Sequence, residues 1–116
     1  MRQKNTALII PACLNVRISL EGIEASPAGL HILVGGTFDA LSFGDWHVFL
    51  NDEADVIPLP ANMRAEILLR EMGLVCNRAV AGTAVFIGHG RDGQDTDVPA
   101  RLLTLAGDLF ETPLGA

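Results

Sequence analysis

Residues 88 to 93, Gly-His-Gly-Arg-Asp-Gly, have the spacing Gly-x-Gly-x-x-Gly and directly follow an apolar run, Thr83 to Ile87. In a nucleotide-binding protein such a loop cradles a pyrophosphate: the glycines let the backbone approach the phosphates, and a helix N-terminus faces them. Here the rest of that chemistry is missing. A dinucleotide site needs a further strand with an acidic ribose partner, and the short stretch after Gly93 offers a helix but no convincing strand. A Walker loop needs Gly-Lys-Ser/Thr, which is absent. Arg91 is outnumbered by Asp92, Asp95 and Asp97, and a net-negative loop repels phosphate. Calcium fares no better: counting from Asp92, Gln94 and Thr96 fall at ligand positions, and Asp97 stands where the EF-hand turn needs glycine. The stretch reads as a turn between a strand and a helix.

The other reactive side chains are scattered. His31, His47 and His89 are not at metal-ligand spacing, and His47 falls on the strand face opposite Trp46, Val48 and Leu50, shared with Phe49. They read as surface or internally satisfied histidines, with no metal. Cys13 and Cys76 lie apart in apolar, strand-like segments, which predicts buried, reduced thiols. Ser42 lacks an elbow motif, and Asp52, Glu53 and Asp55 form an acidic turn. No catalytic residue and no cofactor is predicted. Asn62 and Arg64 open the main helix, where Arg64 could reach an anionic ligand; Asn62 as a cap and Arg64 as a surface ion pair is the competing reading.

These groups must be positioned by a chain that intersperses strands and short helices. Residues 6–12 read as a buried strand broken at Pro11, and 15–21 alternate as a half-buried strand. Ser26-Pro27 starts a short helix that ends at Gly35-Gly36. Residues 37–41 and 46–50 flank a turn and predict a β-hairpin. The clearest helix spans about 61–72, with Glu66 and Arg70 paired across a turn and Gly73 closing it. Strands are expected near Val75-Cys76 and at 83–87, then a helix from about Asp97 to Gly107, then a loose tail over 111–116. The fold class is α+β: one domain, 1–116, a mainly antiparallel sheet with two or three short helices packed on one side.

Composition sets the outer limits. The 116 residues are 49% hydrophobic and 5% aromatic, enough for a mostly aliphatic core. No apolar run approaches the ~20 residues of a membrane span, and no signal peptide is expected. Fourteen Asp and Glu against eight Lys and Arg give a net charge of −6. The cations do not cluster, which disfavours direct binding to a nucleic-acid backbone, and the acidic surface suits a basic protein partner.

Five segments, taken in order, carry a resemblance. Val34-Gly35-Gly36 precedes the hairpin and Asn51-Asp52-Glu53 follows it. Then come Leu59-Pro60-x-Asn62-x-Arg64-Ala65, Gly82-Thr83-Ala84-Val85 and Asp95-Thr96-Asp97-Val98-Pro99. Over roughly residues 28–105 the chain resembles a family of small proteins of bacteriophages, plasmids and other mobile elements, catalogued as a domain of unknown function. It departs from that family after the paired glycines, where Thr37-Phe38-Asp39 replaces an aromatic, an aliphatic and Glu. The family has no catalytic residues to carry over. The resemblance implies a non-enzymatic accessory protein, cytoplasmic in a bacterial host, that binds a host protein, such as an anti-defence inhibitor of the anti-CRISPR kind. The contact surface expected is Asp45, Trp46, Asp52, Glu53 and Asp55, Trp being a favoured anchor. The alternative is a small-ligand binder, for instance a sponge for a nucleotide immune signal, using Asn62, Arg64, Arg78, Gly88 and Gly90.

Overall fold

A computed structural model describes residues 4–53, 58–75 and 80–110. Strand β1 (Asn5–Ile10) is followed by β2 (Ser19–Ile23), helix α1 (Pro27–Val34), the hairpin β3 (Phe38–Phe43) and β4 (Trp46–Asn51), and helix α2 (Met63–Glu71). Then come β5 (Ala84–His89), the two-residue β6 (Asp95–Thr96) and helix α3 (Ala100–Phe110). The six strands form one antiparallel sheet in the order β2-β1-β5-β4-β3, and β6 pairs with β5. The fold is α+β, in one sheet with helices on it.

The central strand β5 shows why the sheet forms here. Ala84, Val85, Phe86 and Ile87 are all fully buried, an uninterrupted apolar run that needs cover on both faces. On one face Phe86 packs with Leu8, Ile10, Trp46 and Val48 beneath Leu68 and Leu69 of α2 and Leu102 and Ala106 of α3. On the other, Val85 and Ile87 join Ala7, Ile9 and Phe49 beneath Leu30 and Val34 of α1. The helices therefore lie on both sides of the sheet, not on one. Alternation along β4 sends Trp46, Val48 and Leu50 one way and Phe49 the other, so each face was apolar enough to require its own helix.

Local signals place the element ends. Ser26 caps α1 by accepting from Gly29 N at 3.1 Å, and Gly35 closes it at φ 79°. Gly44, at φ 66°, makes the two-residue turn between β3 and β4. Three expectations shift. The second strand begins at Ser19 rather than Asn15, because Pro11 to Val16 form a turn, with Val16 N bonded to Cys13 O at 3.0 Å. Helix α3 runs through Gly107 to Phe110. The glycine stretch leads from β5 into β6, a hairpin rather than a strand-to-helix turn. The strand expected at Val75-Cys76 falls partly outside the described residues, and Val75 itself is exposed.

Candidate functional site

The register of four strands gathers polar side chains into a row. Ser42 on β3 pairs with His47 on β4, His47 pairs with Ile87 on β5, and His89, two residues on, pairs with Asp95 on β6. Because side chains alternate along a strand, Ser42, His47, His89 and Asp95 share the face that also carries Phe49 and Ile87. That face is the α1 side. Helix α1 has eight residues, about 12 Å of rise, whereas a six-residue strand spans about 20 Å. The apolar cluster beneath it includes Ala7, Ile9, Phe49, Val85 and Ile87, and among the described residues no helix side chain is hydrogen-bonded to the ring of His47 or His89.

The row is tightly ordered. Ser42 Oγ lies 2.7 Å from His47 Nδ1. The rings of His47 and His89 stack with centroids 4.2 Å apart and planes 10° from parallel, and Phe49 approaches His47 at 6.1 Å. His89 Nδ1 lies 3.3 Å from the Gly90 carbonyl; with that nitrogen donating, Nε2 is left as an acceptor, and it is buried with no partner. Burial holds the His47 pKa below its ordinary value; the neighbouring His89 adds to this, and Asp95 opposes it. At the margin, the Asp45 carbonyl accepts from His89 N at 2.9 Å. The Asp45 carboxylate pairs with the Arg101 guanidinium, Nη1 to Oδ2 at 3.0 Å, and this hydrogen bond lowers the pKa of Asp45 and raises that of Arg101. Gly88 has a structural reason for lacking a side chain: a Cβ would collide with the Asp97 carbonyl and Thr96 Oγ1 across the β5–β6 pair.

The residues expected to bind a ligand are occupied inside the chain. Asn62 is fully buried; it caps α2 by accepting from Ala65 N at 3.0 Å and donates to the carbonyls of Ile10 and Gly82 at 2.8 Å each. Arg64 Nη2 donates to the carbonyls of Pro11, Cys13 and Val16 at 2.8, 2.9 and 2.8 Å, fastening the turn before β2 to the start of α2. That turn leaves Cys13 exposed rather than buried. Gly88 and Gly90 belong to the β5–β6 hairpin, far in sequence from Asn62 and Arg64, and Arg78 and Cys76 lie outside the described residues.

The expected protein-contact residues are dispersed. Trp46 is fully buried between Phe43 and Phe86, with both ring distances 5.8 Å, and offers no surface; its position on the α2–α3 face of β4 puts it in the core. Asp45 stands before β4, and Asp52 and Glu53 stand after it, about 20 Å away along the strand. Asp52 and Glu53 both engage Thr37: its hydroxyl reaches both carboxylates, and Thr37 N donates to Glu53 Oε1 at 2.9 Å. That backbone bond is the main cause of a lowered Glu53 pKa. Asn51 completes this junction by donating to Val34 O at 3.1 Å and accepting from Glu53 N at 2.7 Å. Asp55 lies outside the described residues.

Among the described residues no group of three or more His, Cys, Asp and Glu is arranged to hold a metal ion, and no helix is long and apolar enough to cross a membrane. A family model for a domain of unknown function, DUF3846, matches residues 8–111. No curated protein matches the chain. Among solved structures it is similar to the small RNA methyltransferase HEN1, at 12% identity and a TM-score of 0.59, covering 91% of this chain. The chain spans 16% of that protein's length, and the likeness is one of fold alone.

Proposed function

The chain belongs to the DUF3846 family, and from that premise we propose that it is a non-enzymatic accessory protein of a phage or other mobile element that acts by binding a protein of its bacterial host, a defence component being the first target to test. The observation that carries this reading is the polar row on the α1 side of the sheet. It runs from Ser42 to Asp95, with Asp45 at its border, in a chain of net charge −6. A polar row with a free carboxylate, in a chain of net negative charge, suits capture of a basic partner surface. The residues of the small-ligand alternative, Asn62 and Arg64, are occupied by the chain's own backbone, so purified protein is expected to show no excess absorbance at 260 nm.

The test is an affinity pull-down of the tagged full chain from bacterial lysate, read by mass spectrometry. One stoichiometric host protein is expected, released by raising the salt. A clean bait, or a bound nucleotide in place of a protein, would overturn the reading.

A further inference from the structure

Resting on that reading, we infer that the row formed by Ser42, His47, His89 and Asp95 is where the partner docks, and that it receives an arginine side chain from a basic segment of that partner. Three features of the row converge on this chemistry.

The first is hydrogen-bonding capacity. His47 Nε2 is not buried and has no bond to any described residue, and the Asp95 carboxylate is likewise unbonded there. Ser42 is exposed at the sheet edge, with its hydroxyl already on His47 Nδ1. The free Asp95 carboxylate presents acceptor oxygens only. The row accepts more than it donates, so its complement is a donor.

The second is the stack. Rings 4.2 Å apart disfavour charge on both at once, and burial lowers the His47 pKa, so the stack offers aromatic faces without a full cationic charge on each ring. A guanidinium is planar, stacks on such faces and carries five donors in a fork; an ammonium offers a single point of charge.

The third is charge. His47 is faced by Ser42 from β3, His89 from β5 and Asp95 from β6; His89 is faced by His47, the Gly90 carbonyl and Asp45. Asp92 follows on the turn, its Oδ1 accepting from Gln94 N at 3.1 Å. The nearby cations are Arg91 on the same turn, outnumbered by Asp92, Asp95 and Asp97, then Arg101, paired with Asp45, and Lys4, which borders the depression beside Asp95. Acidification places a proton on the stack and opposes an incoming cation, so binding weakens as the pH falls through the histidine range.

The experiment uses the full chain and a capped Gly-Arg-Gly-Arg-Gly peptide, followed by amide shifts in proton–nitrogen correlation spectra at pH 7.5. The shifts are expected to concentrate on Ser42, His47, His89 and Asp95. The lysine counterpart should bind about threefold more weakly, and the neutral citrulline counterpart about tenfold or more. Asp95→Asn should weaken the arginine peptide about fivefold and Asp52→Asn less than about twofold, with well-dispersed spectra confirming that each variant is folded. At pH 5.5 affinity should fall about tenfold. Absence of binding, shifts spread over distant carboxylates such as Glu21 and Asp52, or equal affinity for the lysine peptide would overturn the site. Its failure is separable from that of the functional reading. A host partner captured equally well by Asp95→Asn leaves the reading and removes the site; peptide binding on the row with no partner in the lysate does the reverse.

Discussion

Asn62→Ala removes a helix cap and two buried side-chain bonds together, leaving the carbonyls of Ile10 and Gly82 without their donor. A lost cap costs about 1 kcal/mol, and stranded buried acceptors cost about 1–3 kcal/mol. We expect a loss of about 3 kcal/mol, read from the midpoint of urea unfolding at unchanged slope. Arg64→Ala should cost less and show itself as faster proteolysis within the 11–18 turn, since its guanidinium holds three carbonyls of that segment. The His47 pKa is lowered in the native state, so over the range from the unfolded value down to the native one the unfolded chain binds more protons. This contribution therefore makes stability fall as the pH drops below about 6.5, and His47→Gln should flatten that slope in thermal scans from pH 5 to 7.5. At this scale the sequence was half legible. Asn at a helix start announces a cap, whereas nothing near Arg64 shows which distant carbonyls it will meet. Ser42 facing His47 follows from the hairpin register, but His89 joins them only through the β4–β5 pairing, which a single sequence does not display.

Gly88→Ala tests whether the glycine stretch serves packing. A methyl group there meets the Asp97 carbonyl and Thr96 Oγ1, so β6 must move away from β5. We expect about 1–3 kcal/mol of destabilisation, with the largest amide shifts at Asp95 and Thr96. Gly90→Ala meets Asp92 Oδ1 at 3.1 Å, an exposed carboxylate able to give way, and should cost less. Elements with local signals were readable. Ser26-Pro27 and Gly35 bracket α1, and alternation to either side of Gly44 gives the hairpin. The second strand was displaced because alternation from Asn15 to Glu21 continues through a turn that a side chain fifty residues away stabilises. The side on which α1 packs was likewise invisible, since it depends on which strands neighbour β5.

Carboxylates stand at both ends of the sheet, Asp92 and Asp95 at one and Asp52 and Glu53 at the other, in a chain of net charge −6. Partner affinity should therefore fall as ionic strength rises, by about tenfold or more between 50 and 300 mM salt if exposed charge steers the encounter. A binding isotherm at each salt concentration checks this, and an unchanged affinity would point instead to an apolar contact. The sheet order has a further bearing on how the protein is made. Strand β1 is synthesised before the other strands of its sheet, yet its inner neighbour is β5, and Thr6 is then bonded by Asp97 and Val98: its amide donates to the Asp97 carboxylate and its carbonyl accepts from Val98 N. Until the last third of the chain has been translated, Leu8 and Ile10 have no β5 to lie against. A nascent chain halted before Ala84 exposes an apolar strand with an open edge, the condition in which a chaperone binds or a neighbouring chain pairs.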